Sequence, residues 1–162
     1  MKILYIMCGP PGSGKTWFAK NTLLHSGVAY ISRDDIRFAL VEENKPYFSQ
    51  EKMVFNIFIQ HIKTALSNNT YHSIIADATH LNEASRKKLL KALNFSFKKT
   101  ERNICIIPVY FTISLKKCQE YNSLRSGRAR VPKKVVETMF NTFKIPNNDK
   151  EIEYDAILEV RV

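Results

Sequence analysis

Cysteine is scarce: the chain of 162 residues holds three, Cys8, Cys105 and Cys118. An odd number at wide, irregular spacing excludes a disulfide framework and matches no metal-binding pattern, so reduced thiols and a cytoplasmic setting are expected. Long apolar runs are also missing. The stretch Ile3-Leu4-Tyr5-Ile6-Met7-Cys8 is stopped by Gly9-Pro10-Pro11-Gly12, too short for a signal-peptide core or a membrane span, so no membrane partner is expected. No repeat or low-complexity tract interrupts the sequence. Residues 1–162 are therefore expected to form one domain, large enough to bury a core.

Acidic residues are nearly absent from one region. Between Arg86 and Lys134, 14 Lys and Arg stand against two acids, Glu101 and Glu120, whereas the remainder carries a small negative excess. The net charge of +10 is thus regional, and such a region attracts polyanions through Coulomb steering and counterion release. For Arg86, Lys87, Lys88, Lys91, Lys116 and Lys117 the competing reading is a solvated helix face.

Periodicity gives the elements. Strands are expected at Lys2 to Cys8, Val28 to Ser32 and Ser73 to Ala76, the last with Asp77 at its end. The nearly continuous apolar run Asn103-Ile-Cys-Ile-Ile-Pro-Val-Tyr-Phe111 reads as a strand covered on both faces, with Pro108 suited to a strand end or an irregularity. Alternation from Ile152 to Val160 predicts a half-exposed last strand. Helices are expected from Lys15 to Leu24, from Ser49 to Asn68, after Asn82 as cap to Leu93, from Ser114 to Leu124, and from Pro132 to Phe143. Strands alternating with helices indicate an α/β fold with a mostly parallel central sheet.

Gly9-Pro10-Pro11-Gly12-Ser13-Gly14-Lys15-Thr16 fits G-x-x-x-x-G-K-[ST] in full, between a buried strand and a helix. Gly12 and Gly14 permit backbone angles that turn N–H groups, Ser13 among them, into an anion nest at a helix N-terminus. Lys15 can reach the β- and γ-phosphates of ATP, and the Thr16 hydroxyl can ligate Mg²⁺. Trp17 and Phe18, which begin the helix, read as core residues.

The destination of the terminal phosphate depends on other segments. A hydrolytic ATPase commonly places an acidic pair after an apolar strand; here Asp77 is followed by Ala78, which leaves Asp77 to support the Mg²⁺–Thr16 side indirectly. The stretch Ser32-Arg-Asp-Asp-Ile-Arg37 sets two carboxylates between two arginines, a proton acceptor with phosphate-gripping guanidinium groups. On the residues alone Asp34 and Asp35 are not ranked, and either can cap the following helix. The segment 122–132 places Arg125, Arg128 and Arg130 in a glycine-containing loop between helices, ahead of Lys133. It reads as an arginine-bearing lid over the triphosphate or as a basic loop facing water or nucleic acid.

Together, Gly9–Thr16, Ser32–Arg37, Ile74-Ile-Ala-Asp-Ala-Thr-His-Leu-Asn-Glu-Ala-Ser-Arg86 and Asn122–Pro132 resemble the 5′-kinase domain of phage polynucleotide kinase and related P-loop, AAA-type kinases of RNA and DNA repair. The correspondence spans roughly residues 2–144. The resemblance implies a P-loop kinase fold and transfer of the γ-phosphate of ATP, with Mg²⁺, to the 5′-hydroxyl end of DNA or RNA. It puts the general base on Asp34 and the acceptor-phosphate grip on Arg37, beside Arg33. Asp77 supports the loop hydroxyl and the lid. The lid arginine falls on Arg125, or on Arg128 because the lid is one residue longer before Val131-Pro132. No phosphatase or ligase motif follows, so such activities are expected only as possible partners. The alternatives are a P-loop kinase of a small metabolite, antibiotic or nucleotide sugar, and a nucleotide-dependent RNA-binding ATPase or switch.

Overall fold

The computed structural model describes residues 1–162. Five strands, β1 (Lys2–Cys8), β2 (Val28–Ser32), β3 (Ser73–Asp77), β4 (Ile104–Thr112) and β5 (Leu158–Arg161), form one parallel sheet in the order β2-β3-β1-β4-β5. The helices are α1 (Lys15–Phe18), extended by a wide π turn over Ala19–Leu23, α2 (Arg33–Leu40), α3 (Glu51–Ser67), α4 (Glu83–Ala92), α5 (Leu115–Ser123) and α6 (Lys133–Thr142). None is long and apolar enough to cross a membrane.

Successive side chains of β1 point to opposite faces, and both faces are covered. Leu4, Ile6 and Cys8 pack with Phe58 and Ile62 of α3 and Leu89 and Leu90 of α4. Met7 packs on the other face with Ile75, Val109 and Ala19. Complete burial of a side chain such as Phe58 or Ile62 stabilises the fold by roughly 1.5–3 kcal/mol each. The helix starts follow the sequence: Ser32 caps α2 by accepting from Asp35 N at 3.2 Å, and Asn82 and Ser85 form a capping box on α4.

From β1 the chain goes to one side for β2 and β3, then crosses to the other for β4 and β5. At such a reversal, loops leaving the carboxyl ends of neighbouring strands open a crevice. The Gly9–Gly14 loop, the start of α2 and Asp77 all emerge there.

Four expectations are corrected. Pro108 sits within β4, opposite Ile6, instead of at its end. Its nitrogen faces the β5 side, where pairing begins only at Val109–Leu158, so no ladder donor is lost. The last strand is four residues long and excludes Ile152 to Ile157. Asp155 explains this: its carboxylate takes the Ile106 N–H at 2.7 Å, where a further strand would offer a carbonyl. Arg86 is neither solvated nor available to a polyanion, being fully buried. It donates to both oxygens of Asp149 (2.5 and 2.7 Å) and to the carbonyls of His80 and Lys144 (2.7 and 3.0 Å). That clamp ties the C-terminal segment to α4 and carries Ile152 into the core. Trp17 is 69% exposed, because the start of α1 turns Phe18 and Ala19 towards the sheet instead; Phe18 meets Phe111 edge-on at 5.8 Å.

Candidate active site

The loop after β1 is shaped by what lies behind it. A Cβ on Gly12 (φ 79°) would stand 2.1 Å from the Cys118 carbonyl oxygen of α5, so only glycine fits there. Gly14 adopts φ 94°, turning the chain into α1. Gly9 N–H donates to the Thr79 carbonyl at 2.8 Å, anchoring the loop to the segment after β3. Lys15 reaches back across the loop, and its Nζ donates to Pro10 O at 2.8 Å and Ser13 Oγ at 3.4 Å. Burial pushes the Lys15 pKa down; Asp77 and Asp34 oppose this, and Arg125 adds to it. The buried ammonium has only neutral hydrogen-bond partners, so a phosphate oxygen would suit it better than the carbonyl it now holds.

Thr16 follows Lys15 and donates from Oγ1 to Asp77 Oδ2 at 2.8 Å. The same oxygen accepts from the Tyr30 hydroxyl of β2 at 2.6 Å. Burial first, and then the Asp77 charge, raises the Tyr30 pKa, which keeps its hydroxyl a donor. With its proton committed to Asp77, Thr16 Oγ1 presents its lone pairs outward. No cluster of three or more His, Cys, Asp or Glu side chains exists to cage a metal. The donor set fits Mg²⁺ held by one hydroxyl together with phosphate and water oxygens, the habit of this ion.

Asp34 lies in the first turn of α2. Its Oδ1 accepts from Arg37 Nη1 and from the Tyr47 hydroxyl, the latter at 3.0 Å, which leaves Oδ2 free. Arg37 is 5% exposed. Glu51, the first residue of α3, takes Nη2 at 2.7 Å and Nε at 3.1 Å, and pairs with Arg33 at 2.6 Å. Burial works against the Arg37 charge, but the Glu51 hydrogen bonds and the nearby Tyr47 and Asp34 outweigh it and raise its pKa. Burial likewise opposes ionisation of Glu51, and the two arginines reverse the balance. Asp35, exposed like Asp34, does not border the cavity that Asp34 lines.

The segment 122–132, expected as a lid, is closed at its base by one side chain. Asn122 donates to Val131 O at 2.7 Å and accepts from Val131 N at 3.0 Å. Arg128, expected with Arg125 at the ATP phosphates, donates instead to the carbonyls of Phe38 (2.9 Å) and Val41, and its guanidinium lies 5.1 Å from the Phe38 ring. It thereby ties this segment to the C-terminal end of α2. Arg125 makes one long contact, to Ala129 O at 3.5 Å, and is the less committed of the two.

One cavity of about 510 Å³ is bordered by Lys15, Thr16, Asp77, Asp34, Arg37 and Arg125. The loop, the α2 cluster and the lid, separate in sequence, thus share one space, and Arg33 and Arg128 also border it. Sequence reasoning missed Tyr30, Tyr47 and Glu51. None belongs to a recognisable motif; only the folded chain brings them to Asp77, Asp34 and Arg37.

Residues 4–146 match the AAA domain family. The chain belongs to the AAA domain family. Among curated proteins no relative matches. Among solved structures, the Pnkp1/Rnl/Hen1 RNA repair complex is similar at 20% identity and TM-score 0.66 over 87% of this chain; the match spans 43% of that structure's chain, less than half its length. A fungal RNA kinase is similar at 13% identity and TM-score 0.61, over 98% of this chain and 73% of that one. A gluconokinase from Sinorhizobium meliloti 1021 is similar at 17% identity and TM-score 0.54, over 98% and 81%. RNA kinases and sugar kinases share this P-loop kinase fold, so the fold of this AAA domain chain fits nucleotide use without selecting the acceptor.

Proposed function

We propose that the chain is an ATP-dependent polynucleotide 5′-hydroxyl kinase that phosphorylates DNA or RNA ends, a step that prepares them for ligation. The observation that carries the reading is that one cavity is bordered both by Lys15 and Thr16 of the glycine-rich loop and by Asp34 and Arg37 of α2. Gly9, Gly12, Ser13, Gly14, Lys15 and Thr16 would hold the triphosphate of ATP, with Arg125 closing over it and Arg128 keeping the lid docked. Mg²⁺, when bound beside Thr16, would supply positive charge to the transferring group, with Asp77 acting through the Thr16 hydroxyl.

On the acceptor side, Arg37 and Arg33 would bind the phosphate next to the terminal nucleotide and bring the 5′-oxygen to Asp34. The Oδ2 of Asp34 takes the hydroxyl proton as the oxygen bonds to the γ-phosphorus and the bond from that phosphorus to the β,γ-bridging oxygen breaks, releasing ADP. Oδ1, already holding two donors, fixes the orientation of the carboxylate. Both guanidinium groups are held by Glu51, so an acceptor phosphate would have to share them with that carboxylate.

The second reading, a small-metabolite kinase, is favoured by the similarity in fold to a gluconokinase. Incubation with γ-labelled ATP, Mg²⁺ and either a 5′-hydroxyl oligonucleotide or sugar and nucleoside acceptors separates the two. Label on the oligonucleotide supports the proposal, and label on a sugar alone supports the second reading.

A further inference from the structure

Five cations run outward from the candidate base, each seated on an aromatic ring. Arg37 lies 4.7 Å from the centroid of Tyr47 and 5.4 Å from that of Phe48. Arg33, one turn earlier on α2, shares Glu51 Oε1 with it and sits 5.2 Å from the Phe55 centroid. The same ring carries Lys88 at 4.5 Å. Lys91, three residues further along α4, shares the Phe97 ring with Lys87, at 5.9 and 5.4 Å. Every link is a common partner or a helix neighbour, so the row is continuous across α2, α3 and α4.

The charges along it are unequally compensated. Glu51 offsets the two arginines and Glu151 pairs with Lys87, while Lys88 and Lys91 form no ion pair. Packing alone explains why lysine stems lie over half-buried rings. The row is therefore compensated at its Asp34 end, and Lys88 and Lys91, which share the Phe55 and Phe97 rings with it, are the two members whose charge is open to a phosphate.

We infer that this row is a track for single-stranded nucleic acid, gripping the phosphates that follow a 5′ end held at Asp34. The inference rests on the proposed kinase reading for where the strand begins. Stacked on Phe55 and Phe97, the ammonium groups have less freedom to lose when a phosphate arrives. Rows of cations that track the backbone are how proteins hold single strands without reading sequence.

The test measures binding of a 3′-dye-labelled, 5′-hydroxyl oligonucleotide, about a dozen nucleotides long, by fluorescence anisotropy across a salt series. Wild type is compared with Lys88→Ala/Lys91→Ala and with Lys116→Ala/Lys117→Ala, which removes the same charge from α5. Loss of two phosphate contacts is expected to make the plot of log affinity against log salt shallower by about 1.4, and to weaken binding on the order of 10-fold. The α5 variant is expected to change less than half as much. An unchanged slope in the α4 variant, or an equal change in the α5 variant, overturns the track.

A second arm compares γ-phosphate transfer to that oligonucleotide and to a 5′-hydroxyl dinucleotide. In Lys88→Ala/Lys91→Ala, kcat/KM for the longer acceptor is expected to fall on the order of 10-fold more than for the dinucleotide; equal falls overturn the track. Absence of transfer to either acceptor by the wild type contradicts the kinase reading instead, and the anisotropy result then decides the track by itself.

Discussion

The Thr16 hydroxyl donates to Asp77 Oδ2 across 2.8 Å, joining the phosphate-binding loop to the end of β3. In the proposed kinase reading this contact would aim the Thr16 oxygen at Mg²⁺, with Asp77 itself not a ligand. Asp77→Asn is therefore expected to raise the Mg²⁺ concentration for half-maximal transfer by 10- to 100-fold, the usual cost of losing a group that orients a metal ligand. A Mg²⁺ titration of the initial rate checks this, and an unchanged midpoint counts against the assignment.

Asp34 is expected to accept the hydroxyl proton, so Asp34→Ala should lower kcat by about 10²- to 10⁴-fold while ATP binding persists. Tyr47 holds the other carboxylate oxygen at 3.0 Å. Burial, reinforced by Asp34, pushes the Tyr47 pKa up to about 12, so it stays a donor throughout the working range. Tyr47→Phe is expected to cost roughly 10-fold in kcat, one hydrogen bond to a charged group. Steady-state kinetics alongside ATP binding by calorimetry read both variants; equal rates in wild type and Asp34→Ala would exclude the base.

Gly12→Ala tests how the loop is built. The added Cβ would meet the Cys118 carbonyl oxygen at 2.1 Å, and φ 79° is already unfavourable for alanine. Either the loop or α5 has to move, so destabilisation of roughly 1–3 kcal/mol and weaker ATP binding are expected. Thermal unfolding with and without ATP checks it, and a wild-type Tm shift on adding ATP would contradict the packing.

How much of this was legible in the sequence depended on distance along the chain. The Gly9–Thr16 turn, the Ser32 cap and the Asn82 cap are legible because each works through near neighbours; Asp77 is legible only as a strand end, since its partners Thr16 and Tyr30 lie 61 and 47 residues away. Glu51 and Tyr47 escaped because their meaning lies in partners, Arg37 and Asp34, that only tertiary packing brings close. Arg86 reads as a surface cation in the sequence because nothing local reveals that Asp149, 63 residues later, buries with it. The Ile152–Val160 alternation was genuine, but Asp155 took a ladder donor with its side chain and shortened the strand. Trp17 is exposed against its apolar pattern because a four-residue helix takes its rotation from its contacts.

His80 links stability to pH. It is buried with φ 39°, its Nδ1 2.7 Å from the Met7 carbonyl, and burial lowers its pKa to about 4. The unfolded chain takes up a proton near the ordinary pKa of 6.5 while the folded chain does not, so this stability is complete above about pH 6.5 and falls towards pH 4. The loss from this group amounts to roughly 3 kcal/mol. His80→Asn, which tolerates the same backbone angle, is expected to flatten the decline in Tm between pH 7 and 4. An identical decline in both proteins would assign it to other groups.

The most direct measurement is transfer of label from γ-labelled ATP to a 5′-hydroxyl oligonucleotide with Mg²⁺, by wild type and Lys15→Ala in parallel, with a 5′-phosphorylated oligonucleotide as the blocked acceptor. Label on the 5′-hydroxyl strand alone, lost in Lys15→Ala, is the expected result. Consumption of ATP with no label on the strand, or equal labelling by both proteins, would contradict it.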